Sequence, residues 1–308
     1  MNLLGARHSS GASSLKEERA TGVARPRRMI LNFREWQLAL PLALAFTAVF
    51  VAPLLLLIGV SFFDDDKISQ PGLASWTKFF GDPFNYKVIA DTLLLGAKTV
   101  CTTVLIGYPL ALVYLELPAR LQRVLLFIIV MPLLLSVVVR TFAWIVVLGR
   151  EGVVNSVLMG LGLISEPLRL LQTELGLVIS LTQIEMPLML LPLISVMSRL
   201  DPNLRDASAA LGASRWRTLF TVIVPLSTPG LVAGCLLVFA SSTTAFISQT
   251  VIGGVRLIYL PLVIWQQSLV VYHWPLAAVA SLALVVSVLS VVAALSWLGR
   301  RSGGYLHG

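Results

Sequence analysis

The chain is expected to be an all-α membrane protein that crosses the bilayer six times, and three observations carry that expectation. Hydrophobic residues make up 57% of the 308 residues and charged residues only 12%, with a mean hydropathy of +0.87, which is outside the range of soluble globular domains. The apolar residues fall in six stretches, each long enough for the roughly twenty residues that a helix needs to cross a bilayer. Between two of these stretches lies a polar, basic island, Asp201 to Gly230.

The predicted spans are Trp36–Phe62, Thr92–Leu115, Val124–Leu148, Leu175–Val196, Pro229–Gly253 and Leu276–Leu298. An even number of spans puts both termini on one side. The side follows from the basic residues, which accumulate in cytoplasmic loops. Fifteen Lys and Arg residues fall in the N-terminal tail, the second-to-third connection, the island and the C-terminus, against six in the opposite loops. Both termini and the island are therefore expected in the cytoplasm. This asymmetry also accounts for the net charge of +8 without a nucleic-acid partner, since no basic groove interleaved with aromatics is visible.

Residues 1–34 are rich in Ser, Ala and Arg and read as a disordered basic cytoplasmic tail. Residues 35–300 form the transmembrane domain, with the loop at 200–228, and 301–308 a C-terminal tail. The first apolar run begins too late and runs too long for a cleaved signal peptide. Cys101 and Cys235 fall within predicted helices, where they act as small apolar residues, so neither a disulfide nor a metal site is expected. His8, His273 and His307 are scattered, and no nucleophile lies near a base, which argues against an enzyme within the membrane.

The island carries its own start and stop signals. Asp201 is an N-cap, Pro202 suits a first helical position, and Gly212 supplies a left-handed stop. Ser214 is a second N-cap, before Arg215, Trp216, Arg217, Leu219 and Phe220, and Thr228 with Pro229 offers a start for the next span. The pattern is helix, turn, helix, with Trp216, Leu219 and Phe220 expected to anchor it to the bundle.

Ionisable groups at membrane depth are costly and mark function or pairing. Arg140 and Glu185 lie roughly 12 Å and roughly 15 Å from the outer ends of the third and fourth spans, at 1.5 Å per residue. At similar depth on consecutive helices, they either pair with each other or line a path. In the fifth span Ser241, Thr244 and Ser248 recur at three- and four-residue spacing and share a helical face. With Gln249 there, and Gln183 and Glu185 on the fourth span, that face is a candidate translocation path; the alternative is ordinary packing, with hydroxyls bonded to their own helix. Tyr259, Trp265, Tyr272 and Trp274 resemble an outer interfacial belt, and Trp36 and Trp297 cytoplasmic anchors.

The island resembles the EAA loop of importer-type ABC transporter permeases: Glu-Ala-Ala, three residues, Gly, nine residues, Ile, any residue, Leu, Pro. Asp206, Ala207 and Ser208 take the first three places, Gly212 the glycine, and Val222, Val224 and Pro225 the close. Spacing matches throughout, while Asp replaces Glu, Ser replaces the second Ala and Val replaces both aliphatic residues. Further similarity at Val137–Leu158, Pro187–Ser214 and Val251–Ala280 is to the spermidine/putrescine-type branch, which also includes importers of opines, phosphonates and other small solutes.

The resemblance implies a type I, MetI-like permease fold with a cytoplasmic coupling-helix loop in a bacterial inner membrane, and polyamine as cargo. It implies ATPase coupling through Asp206, Ala207, Ser208, Gly212, Arg215 and Pro225. The implied partners are a second, related permease, two ATPase subunits and an external substrate-binding protein, besides membrane lipid. No phosphate-binding loop of the Gly-four residues-Gly-Lys-Ser/Thr form occurs in the chain, so ATP and Mg belong to the partner ATPase and no cofactor is expected here. A secondary transporter or channel driven by an ion gradient is the alternative of another class. It predicts internal inverted repeats, and none is evident.

Overall fold

The structure is a computed structural model that describes residues 33–303 other than 66 and 202; nearly all of the expected N-terminal tail and part of the C-terminal tail lie outside these residues. The chain divides into two units, one ending at Leu54 and the other running Leu55–Gly308. The first span belongs to helix α1, Phe33–Val60, whose segment Leu40–Val60 has a mean hydropathy of 2.6. The remaining elements belong to the second unit.

After a loop come the short helix α2, Ala74–Gly81, and α3, Pro83–Glu116. The loop is folded on two aspartates. Asp65 accepts from the amides of Ser69 and Gln70 and from the Ser69 hydroxyl, while Asp64 accepts from the Ala74 amide at the start of α2. These bonds hold the Asp65 carboxyl at about 2, below its ordinary 3.8. α3 starts well before the expected span because Asp82 caps it, accepting from the Phe84 amide, and Pro83 suits its first turn.

The third span departs from expectation. Val124–Leu148 is not one helix but two, α4 at Ala119–Leu134 and α5 at Val137–Leu148. The segments on either side of Leu135 and Ser136, Ala119–Leu134 and Val137–Gly160, turn from each other by 105°. Pro132 removes a helical donor in the last turn of α4, Leu135 is extended and Ser136 is non-helical. Arg140 and Leu148, between which the helical rise was counted, both lie in α5, on the far side of this bend from α4. With α6, Val153–Gly160, this region counts as one broken span, giving five or six spans among the described residues.

Helix α7, Glu174–Met197, is the most buried span and packs against α3 and, later in the chain, α10. The island begins with α8, Asn203–Ala210, then α9, Arg215–Thr218. The fifth span is displaced from the expected Pro229–Gly253: it runs Arg215–Thr243. α9 enters it through a π turn at Leu219–Ile223 and continues as α10, Val224–Thr243. The Val224 amide reaches back five residues to the Leu219 carbonyl. That widened turn accommodates the proline ring of Pro225, so the prolines sit inside a helix instead of starting one.

The chain breaks again at Thr244 and Ala245 and continues as α11, Phe246–Gly253. α12, Leu260–Trp265, lengthens through a π turn to Val270, and α13, Trp274–Gly303, ends the fold. The outer aromatic belt is only partly as expected: Trp265, Tyr272 and Trp274 are exposed, but Tyr259 is buried in the core with Leu148, Leu177 and Ile252. Trp297 is exposed.

Contact between α7 and α10 is close because glycines remove the side chains between them. A Cβ on Gly230 would lie 2.9 Å from the Pro192 carbonyl oxygen, and one on Gly234 only 2.7 Å from Met189 Sδ and 3.0 Å from its carbonyl oxygen. Gly230 and Gly234 are four apart, the small-residue spacing that lets membrane helices touch backbone to backbone.

Candidate functional site

Two regions concentrate the polar groups: the island at one end of the bundle, and a cavity inside it.

In the island, Asp201 caps α8 as its spacing suggests. Its Oδ1 accepts from the Asn203 amide at 2.9 Å. The helix ends in a Schellman closure, with the Ala213 amide bonded to the Ser208 carbonyl at 3.1 Å and the Gly212 amide to that of Ala209 at 2.9 Å. Gly212 has φ of +77°, the left-handed conformation in which a β-carbon is penalised. Ser214 then caps α9 by accepting from the Arg217 amide at 3.3 Å. A further bond joins the two helices: the hydroxyls of Ser208 and Thr218 lie 2.8 Å apart. Thus Ser in the second Ala place of the loop fastens the hairpin shut.

Asp206, Ala207 and Arg215 are exposed, as is Pro225. Asp206 borders a cavity of about 830 Å³ shared with Glu116, Arg215 and Trp216, and another of about 590 Å³ shared with Glu116, Gln122 and Asp201. The anchor expectation holds for Leu219 alone, which packs against the core around Ala111, Leu190 and Ile223. Trp216 and Phe220 are 71% and 65% exposed and stack on each other with ring centroids 6.2 Å apart.

The cavity, of about 470 Å³, collects five of the seven residues expected along a path: Arg140, Glu185, Ser241, Thr244 and Ser248. They do not share one continuous helical face. Ser241 lies in the last turn of α10, Thr244 sits in the break, and Ser248 belongs to α11. The break folds the three hydroxyls around one space, which adjoins the end of α4 and the start of α5 through Leu133 and Val137. Discontinuous helices lining a polar cavity are a recurrent way to present backbone and side-chain groups inside a membrane.

Gln183 and Gln249 do not border that space. Gln183 is exposed, and its Oε1 accepts from Trp144 Nε1 at 3.1 Å, tying α7 to α5. Gln249 is 1% exposed. Its Nε2 donates to the carbonyls of Ser242 at 3.0 Å and Thr243 at 3.3 Å, capping the last turn of α10. Ser248 is also bonded to Thr141 across 3.1 Å, which fastens α11 to α5.

Arg140 and Glu185 approach each other without joining. Glu185 is 4% exposed and Arg140 is half-buried, but no direct ion pair links them. Instead Arg140 Nη1 donates to the Ile184 carbonyl at 3.4 Å. Of the two expected arrangements, pairing or lining a path, a direct pair is not formed, and both side chains border the cavity. A direct ion pair does occur elsewhere, between Lys98 of α3 and Glu174 at the start of α7, two partly exposed side chains.

The sequence of residues 103–303 matches the family model of binding-protein-dependent transport system inner membrane components. The chain belongs to this family. Among curated relatives of this inner membrane component, the spermidine/putrescine transport system permease protein PotB of Haemophilus influenzae is 30% identical over 262 residues, covering 83% of this chain and 91% of the relative. PotB of Escherichia coli K12 is 30% identical over 253 residues, covering 81% and 91%. Among solved structures, a bacterial ABC transporter involved in the import of the acidic polysaccharide alginate matches with a TM-score of 0.70 at 18% identity, over 87% of this chain and 96% of that one. That likeness shows the fold, a nearly all-helical bundle.

The glycine pair Gly230 and Gly234 and the cap Gln249 were missed as structural residues by the sequence reading. Gly-x-x-x-Gly in an apolar run is a usable signal for the first. No local signal marks the second.

Proposed function

We propose that this permease is the membrane subunit of an ATP-driven, binding-protein-dependent importer of polyamines of the spermidine/putrescine class. The observation that carries the motor-driven reading is the locked hairpin of the island: two capped helices, a left-handed glycine between them, and a second helix continuous with the fifth span. Such a hairpin transmits a push as a rigid body, whereas a connector needs no such closure. The polyamine assignment rests on the likeness to PotB over most of the chain.

In this reading two ATPase subunits, carrying ATP and Mg, dock on the loops of this chain and of a second, related permease. Closure of the ATPase pair draws the loops together and alternates the access of a central site. Asp206 complements a positive ATPase surface, Gly212 holds the turn, Arg215 adds a second charged contact, and Pro225 with the π turn joins the hairpin to the span. An external binding protein delivers the cargo. The chain lies in a bacterial inner membrane with both termini cytoplasmic, as the basic loops favour.

Tagged chain expressed with its neighbouring gene products should co-purify with an ATPase, and proteoliposomes holding the complex should take up labelled putrescine or spermidine only with ATP and the binding protein. Uptake that needs an ion gradient and no ATPase overturns the reading.

A further inference from the structure

The cavity between the two broken helices has an unusual charge arrangement. Its carboxylate, Glu185, is almost wholly buried yet has no direct ionic partner. Its cation, Arg140, is held by one long bond to the Ile184 carbonyl, and its buried Nε has no hydrogen-bond partner. Burying either charge unpaired is expensive. A welded pair relieves both, and here neither is fully relieved.

The Thr244 hydroxyl on the cavity wall is set to accept. Thr244 spends its proton on its own helix, with Oγ1 at 2.9 Å from the Ala240 carbonyl and 3.2 Å from that of Ser241, so only lone pairs remain for a visitor. Ser241 stands beside the Glu185 carboxylate. One carboxylate with hydroxyl lone pairs forms an acceptor set, and its complement is a group with donors alone. A primary ammonium has three N–H donors, no acceptor and a positive charge.

We propose that this cavity receives one primary ammonium group of the transported solute at Glu185, and that Arg140 is a positioning residue that keeps this binding weak. The proposal rests on the importer reading given above and adds to it where the amine sits and what releases it. With both side chains ionised the cavity carries no net charge. A carboxylate alone would hold a cation too firmly for passage, while conduction through a membrane needs a site that is easy to leave. Arg140, tethered nearby but not bound to the carboxylate, competes with the incoming amine and replaces it when it departs.

The test is equilibrium binding of labelled putrescine to the purified permease–ATPase complex in detergent, without binding protein, with n-butylamine and butane-1,4-diol as competitors. Expected are tightening by about tenfold or more in Arg140→Gln, weakening by about tenfold or more in Glu185→Gln, and a return toward wild type in the double variant. Butylamine competes and the diol does not. Equal weakening in both single variants makes the two residues a structural strut and overturns the proposal. So does competition by the diol, or absence of amine binding in a folded wild-type complex. If Glu185→Gln yields no complex, Arg140→Gln decides alone, and no tightening overturns the proposal. Failure of ATP-dependent uptake with amine binding intact counts against the importer reading and leaves the site standing.

Discussion

Gln249 caps the helix that ends just before it. Its amide nitrogen donates to the carbonyls of Ser242 and Thr243, two acceptors that the break at Thr244 leaves without helical partners. Replacing Gln249 with Ala should cost about 1–3 kcal/mol, the penalty for uncovering buried acceptors. Thermal unfolding of the complex reads the loss. Because Gln249 does not border the cavity, the KM of the protein that remains folded should stay unchanged; a raised KM places Gln249 in the path after all.

Gly212 separates conformational strain from crowding. No atom lies within 4 Å of a Cβ built there, so Gly212→Ala tests only the φ of +77°, worth about 1–2 kcal/mol for a left-handed residue. The Ala variant should bind its ATPase more weakly, while Gly212→Asn, better tolerated in that conformation, should keep more of the contact. Pull-down of the ATPase from matched membranes compares the two, and equal loss in both denies the backbone a role.

Gly234 probes crowding. An added Cβ meets the Met189 backbone, which cannot rotate away, so Gly234→Ala should force α7 and α10 apart at about 1–3 kcal/mol. Since both helices contribute to the cavity wall, lower thermal stability should come with impaired uptake. Wild-type stability in this variant means that the helices tolerate a wider spacing.

Ser208→Ala removes the clasp to Thr218. The expected loss is about 1 kcal/mol, confined to the loop. Hydrogen exchange should quicken between residues 203 and 218 while α7 stays protected; unchanged exchange there makes the clasp dispensable.

The loop between α1 and α2 should respond to acid. The Asp65 carboxyl is held down to about 2 by its bonds to Ser69 and Gln70, so its ionised form favours the folded loop. That contribution is complete above the ordinary carboxylate value near 4 and disappears as pH falls toward 2. Amide exchange at 65–72 should quicken over this window in wild type, and Asp65→Asn should remove the pH dependence. A variant with the same pH profile assigns the effect to another group.

Hydropathy and charge were enough to make this an all-helical membrane chain, and the caps of the island could be read directly, because Asp201, Gly212 and Ser214 act within four or five residues of themselves. The family pattern in the loop is likewise local. Proline misled where its cost was absorbed: Pro229 resembled a helix start, but the π turn before Pro225 carries the helix through. Pro132, in contrast, coincides with a real break.

The meeting of Arg140, Glu185, Ser241, Thr244 and Ser248 required the tertiary structure. Their spacing allows one helical face, yet the cavity exists because the chain bends at Leu135–Ser136 and again at Thr244–Ala245. Which of two glutamines caps a helix and which faces outward also depends on the neighbouring helix, not on the residues beside it. Apolar patterning records transfer out of water, which each segment undergoes independently, whereas the placement of a buried charge depends on every group that packs around it.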